Sequence, residues 1–269
     1  MLKKGYMMKR YGLLLAALFS LLSLLLLNSC GDTTPNGEVK DTHVIRFVHA
    51  LLAEDGHVHS YLEITRNGEP FNLAAIGLYN DSDTLPMGLM ARDSEQGTYS
   101  GSFNDFDLDT TRLIRTELNT PTDQFTFSHQ LNMPDTFSFA APGQPGNLVR
   151  SSDGTVPLEW TASRKAHGYF VIVEPASSSN QAAGYAALVN SQVNSVSVPM
   201  TAFQDNLGFR VGEYNVWVVA YQDNPIDSPA LPFTLPAGFT ADINRVGVTG
   251  QAGAIYVPEK LVLTAVVTQ

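Results

Sequence analysis

A second cysteine is missing from this 269-residue sequence. With Cys30 alone no disulfide can form within the chain, so a folded body must hold together by packing. Positive charge is scarce as well: 16 Lys and Arg stand against 26 Asp and Glu, a net charge of −10. A field of that sign, without a basic stripe or a phosphate-cradling glycine loop, excludes nucleic acid as the expected partner and disfavours anionic lipid headgroups. Beyond residue 30, no stretch repeats its apolar residues with the 3.6-residue period of an amphipathic helix. Hydrolase motifs are absent too. There is no Gly-x-Ser-x-Gly, His-Glu-x-x-His or Ser-x-x-Lys, and Gly97-Thr98-Tyr99-Ser100-Gly101 has its serine one place late. A non-catalytic chain is expected, with no cofactor.

What is present begins at the N-terminus. Lys3, Lys4, Lys9 and Arg10 carry the first charges with no acid among them, and an apolar, leucine-dominated run follows from Tyr11 to Leu27. A charged segment followed by such a run is the layout of a signal peptide, although length alone also admits a membrane-anchoring helix. Leu27-Asn28-Ser29-Cys30 then resembles the lipobox of bacterial lipoproteins, with a leucine three before the cysteine and a small residue just before it. The resemblance implies cleavage in front of Cys30, diacylglycerol on its thiol, and a membrane partner reached through that lipid. A single acyl chain holds a protein only marginally, whereas two or more anchor it stably. Removal of residues 1–29 takes away four basic groups and no acids, leaving 12 against 26 and a net charge of −14 for the body. Gly31 is not the aspartate of an inner-membrane retention signal, so the outer membrane is the expected location if the host is Gram-negative.

Residues 31–40 are polar, with Pro and Gly, and read as a flexible tether. After them β-branched and aromatic residues recur in short runs between Gly, Pro, Asn and Asp, so the body is expected to be all-β. Strands are predicted near 43–51, 57–65, 71–79, 98–103, 111–118, 125–131 and 137–140, with Asp55-Gly56 and Asn67-Gly68 as turn signals. The run Ala141-Pro142-Gly143-Gln144-Pro145-Gly146-Asn147 reads as a hinge, giving a first β-sandwich domain at 41–141 and a second domain at 147–269.

Residues 147–223 are similar to a fibronectin type III or related immunoglobulin-like domain. Leu158-Glu159-Trp160 matches the tryptophan-bearing strand B, Tyr169 to Val173 strand C, Ser195 to Pro199 strand E, and Gly212 to Ala220 strand F. The resemblance implies that Tyr214 ties strand F to the loop before it. Where the family ends with one strand G, this chain continues. A proline-punctuated crossing at 225–236 precedes two runs, 239–249 and 254–267, which read as a closing hairpin around Gly250-Gln251-Ala252-Gly253. Either 261–267 is a displaced strand G, or the hairpin is added outside the sandwich.

Three groups are candidate sites besides Cys30. Alternation along strands C and F turns Phe170, Ile172, Trp217, Val219 and Tyr221 away from the inward Tyr169, Val171, Tyr214, Val216 and Val218. These five form one apolar patch, covered either by the C-terminal hairpin or the first domain, or by a partner such as an envelope protein or a glycan. His57 and His59 share one strand face, with Glu54, Asp55 and Glu63 near in sequence; two imidazoles suit zinc or copper if further ligands join them. Val58, Leu62 and Ile64 face inward, which leaves the histidines on the wetter side. Asp105, Asp107 and Asp109 alternate as in the start of a calcium loop, with Asp81 and Asp83 as further oxygen donors. Thr110 and Thr116 stand where an EF-hand needs Gly and Glu.

The expectation is a lipid-anchored binding or scaffolding module of two β-sandwich domains at the bacterial cell envelope. The competing expectation is an envelope enzyme or metal-dependent factor using the histidine pair or the acidic loop.

Overall fold

Alternation of apolar and polar residues builds the body. β1 (His43–Leu52) and β2 (Val58–Arg66) pair antiparallel, with Ile45 opposite Ile64 and Phe47 opposite Leu62, so their apolar faces coincide. Asn67 and Gly68 follow with φ of 53° and 88°, the left-handed pair that a tight hairpin turn demands and that Asn-Gly supplies at least cost. The computed structural model describes residues 41–72, 74–80, 83, 86–93, 96–103, 113–120, 125–141 and 147–268. Within them, His43 onward forms one compact unit of strands, and the helical content is the short 3-10 turn Met200–Phe203.

The remaining principal strands are β3 (Ala75–Asn80), β4 (Thr98–Phe103), β5 (Leu113–Asn119), β6 (Thr126–Asn132), β7 (Leu148–Arg150), β8 (Thr155–Trp160), β9 (Gly168–Pro175), β10 (Tyr185–Asn190), β11 (Ser195–Pro199), β12 (Gly212–Asp223), β13 (Val248–Val257) and β14 (Leu261–Val266). Most lie within one or two residues of the predicted runs. One large sheet runs β7-β14-β12-β13-β1-β2-β4, and β9 lies on the other edge of β12 with β10 beyond it. Two smaller sheets pack with it. β3, β5 and β6 belong to one, and β8, β11 and Phe139–Ala141 to the other. The result is an all-β architecture of packed sheets.

The second half carries the marks expected of its strands. Trp160 of β8 is buried edge-on against Tyr169 of β9, ring centroids 5.3 Å apart. The Tyr214 hydroxyl, at the start of β12, donates to the Arg210 carbonyl at 2.9 Å, tying the strand to the loop before it.

The closing segment differs from the expected hairpin. β13 and β14 both run antiparallel to β12 on the same edge: Ala220 to Asp223 pair with β13, and Gly212 to Val216 with β14. They lie end to end, interrupted at 258–260, and β14 occupies the place of a strand G. Gly250 and Gly253 are therefore not turn residues but stand inside β13. A side chain at Gly250 would run into the backbone of Ile45, and one at Gly253 into that of Pro225. Glycine here permits close approach of backbones rather than reversal of the chain. The true hairpin turn falls at Val246-Gly247, between Ile243–Arg245 and β13.

β13 also pairs in parallel with the whole of β1, His43 opposite Val248 through Leu52 opposite Val257. Strands from the segments 41–141 and 147–269 thus share one sheet, and their buried residues form one continuous core that holds Phe47, Leu62 and Leu118 as well as Trp160, Tyr214 and Leu263. The proline- and glycine-rich residues 142–146 lie outside the described residues.

Candidate functional site

Strand alternation divides the large sheet into two faces. Tyr214, Val216, Val218 and Ala220 enter the main core, while Trp217 and Val219 enter a second one with Phe170 and Ile172. Phe170 and Val219 are fully buried, Ile172 is 6% exposed and Trp217 4%; Tyr221 is partly buried against the same cluster. The cover is neither the C-terminal strands nor the first sandwich but the crossing between β12 and Ile243–Arg245. Ile226, Leu231 and Phe233 of that segment are buried, and Leu235 and Phe239 pack beside them. Phe233 meets Phe170 at 5.7 Å and Trp217 at 5.5 Å, and Phe239 meets Tyr221 at 5.0 Å, all edge-on. Val48, Ala50, Ile255 and Val257 extend this second core along β1 and β13. Phe170, Ile172, Trp217, Val219 and Tyr221 therefore serve as a folding surface closed by the chain's own segment. Strand alternation sets their direction, while their cover comes from a segment without any period.

One end of the sheet concentrates polar groups and open space. The β1–β2 turn lies beside the interruption between β13 and β14, where the Ala53 N–H donates to the Val257 carbonyl at 2.8 Å. Two cavities flank that interruption. One, about 340 Å³, is lined by Glu54, Trp217, Pro232, Glu259 and Lys260 among others, and another, about 420 Å³, by Ala53, Phe137, Phe139, Tyr256 and Lys260 among others. Both mix apolar walls with charged groups, the usual make-up of a small-ligand recess.

The same turn carries Asp55, and the histidines follow it. Gly56, with φ of 73°, reverses the chain so that Asp55 returns beside His57 and His59. One donor atom from each of the three lies within 4.8 Å of the others. His59 Nε2 is 2.7 Å from Asp55 Oδ2, the His57 backbone N–H donates to Asp55 Oδ1 at 2.9 Å, and His57 Nδ1 is 3.1 Å from Ser102 Oγ on β4. Partial desolvation pushes the Asp55 carboxyl up, but the His57 and His59 hydrogen bonds and the nearby imidazoles outweigh it and hold the group below its ordinary range. Val58, Leu62 and Ile64 are buried and the two histidines half-buried on the opposite face, as alternation requires. Of the acids near in sequence, Asp55 alone joins the pair: Glu63 is engaged with Arg46 at 2.9 Å, and Glu54 lines a cavity. Neither cavity is lined by His57 or His59.

A second histidine cluster lies between the large sheet and the sheet of β3, β5 and β6. His49 is 1% exposed, with Nδ1 2.8 Å from Ser60 Oγ on β2 and Nε2 2.8 Å from Thr116 Oγ1 on β5. One ring nitrogen donates and the other accepts, so the neutral imidazole bridges the two packed sheets. Burial, with a contribution from nearby His129, lowers its pKa to about 3. The pKa of His129 is lowered too, by burial and then by Arg245. This interior bridge was readable in principle, because His49 follows Ile45 and Phe47 on the inward face of β1. Cys30, Asp81, Asp105, Asp107 and Asp109 lie outside the described residues, and Asp83 receives a bond from Arg115 at its backbone carbonyl, 2.8 Å.

No protein-family model matches the chain, and no curated protein matches it. Among solved structures it is similar to the FN1–FN3 domains of chicken CNTN1, at 11% identity over 85% of this chain and 67% of that one, with a TM-score of 0.28. A titin immunoglobulin tandem, A164–A165, shows 11% identity over 86% of this chain and 99% of that one, with a TM-score of 0.24.

Proposed function

We propose that the chain is a lipid-anchored protein of the bacterial cell envelope, held by acylated Cys30 and working as a non-catalytic binding or scaffolding module. The observation that carries this reading is Leu27-Asn28-Ser29-Cys30 directly behind a charged and then apolar leader, with the only thiol of the chain at the one position where a lipid would be attached. The body suits the role. It is a disulfide-free β-structure that uses its apolar strand faces on two cores of its own, and it leaves an acidic surface for contacts. The recesses beside 258–260 are the places where such a module would take a small group or a partner's side chain. In a Gram-negative host the outer membrane is the proposed location, because Gly31 follows the cysteine.

Replacing Cys30 with serine tests the reading. The variant is expected to leave the membrane fraction or to accumulate as uncleaved precursor, and crosslinks to envelope partners made by the parent protein are expected to disappear. A cleaved variant that remains membrane-bound to the same extent would contradict the lipid anchor.

A further inference from the structure

We propose that Asp55, His57 and His59 form a binding site for one divalent transition-metal ion of the zinc type. It is separate from the lipid anchor and does not depend on it. Two imidazoles and one carboxylate converge from a five-residue stretch, their donor atoms within 4.8 Å of one another. Asp55 and His57 are already oriented for a ligand's work. Asp55 Oδ1 is occupied by the His57 N–H, which leaves Oδ2 facing His59 Nε2. His57 Nδ1 is engaged with Ser102 Oγ, which leaves Nε2 as its donor toward an ion. A metal-binding histidine is characteristically held in this way, through its other ring nitrogen, by a neighbouring polar group.

Size and chemistry select the ion. Bonds of roughly 2.0–2.2 Å separate the ligands of a tetrahedral zinc by about 3.3 Å. The His59–Asp55 hydrogen bond of 2.7 Å opens by about half an ångström to admit it, and the widest donor separation, within 4.8 Å, closes by up to about 1.5 Å. Calcium and magnesium take six or more oxygen ligands, whereas imidazole suits zinc, copper and nickel. An ion pair between Asp55 and His59 alone would not require His57 on the same face, locked to a neighbouring strand. Three protein ligands leave a fourth position for water or for a group of a bound partner.

The test is zinc titration of the full-length chain, purified without a histidine tag and stripped with chelator, followed by calorimetry. One zinc per chain is expected, with affinity lowered about tenfold or more in each of His57→Ala and His59→Ala and about tenfold in Ser102→Ala. His167→Ala, which alters a histidine paired with Asp223 elsewhere in the fold, should bind as the parent does. Zinc uptake by the parent no greater than by the His57→Ala/His59→Ala double variant would overturn the proposal. Should a variant lose its fold, cobalt added to the unaltered chain decides. Strong tetrahedral visible bands are expected, and the weak spectrum of octahedral aqueous cobalt would refute the site.

Discussion

Truncating Phe233 to alanine tests whether the crossing segment is part of the folded body. Phe233 is 8% exposed and its ring packs edge-on against Phe170 and Trp217, two buried aromatic residues of the second core. Loss of a core phenylalanine costs about 3–5 kcal/mol. The crossing has no regular structure around Phe233 and can partly collapse into the space, which places this site near the lower end, about 3 kcal/mol. For a body of this size each kcal/mol lowers the melting temperature by roughly 2–4 °C, so a fall of about 6–12 °C is expected by differential scanning calorimetry. Trp217→Ser, on the facing side of the contact, should cost at least as much. In the double variant the two losses should fall short of additive by about 0.5–1.5 kcal/mol, the worth of one aromatic pair. A melting temperature within about 2 °C of the parent for Phe233→Ala would refute the reasoning, since removing a side chain from a surface patch costs within about 0.5 kcal/mol.

Acid should destabilise the body through His49. Its folded pKa of about 3 lies below the ordinary 6.5, so the unfolded chain takes up the proton first. Stability from this group is full above about pH 6.5 and declines by up to about 1.4 kcal/mol per pH unit down to about 3. Urea midpoints from pH 7 to 4 should show that decline, reduced in His49→Gln; equal slopes in the two proteins would contradict it. Gly250→Ala should break the parallel pairing of β1 with β13, because the added carbon meets the Ile45 backbone, and a loss of several kcal/mol or failure to fold is expected. A soluble Gly250→Ala variant melting like the parent would disprove the close approach. Tyr214→Phe removes the hydroxyl bonded to Arg210 and should cost about 1 kcal/mol in chemical unfolding, with no change meaning the corner is dispensable.

Strand positions were legible because side-chain direction alternates every residue, and that signal is local. The places of Trp160 and Tyr214 came instead from the resemblance of residues 147–223 to a fibronectin type III or related domain, which implies a buried strand B tryptophan and a tyrosine corner. The parallel pairing of His43–Leu52 with Val248–Val257 was not, since contacts between segments so distant in sequence leave no local mark. Gly250 and Gly253 misled because glycine serves both tight turns and close packing of backbones, and only the neighbour across the sheet tells which. The cover over Trp217 was hidden by its prolines: a segment without period reads as a solvated loop even when Ile226, Leu231 and Phe233 are buried. For the candidate metal site the histidine pair was plain from its spacing, while the choice of Asp55 over Glu54 and Glu63 depended on the turn at Gly56.

Mass spectrometry of the protein extracted from membranes tests the proposed attachment most directly. A polypeptide beginning at Cys30 is expected, with its sulfur carrying diacylglycerol and residues 1–29 gone. A mature chain beginning at any other residue, or one with an unmodified thiol at Cys30, would contradict it.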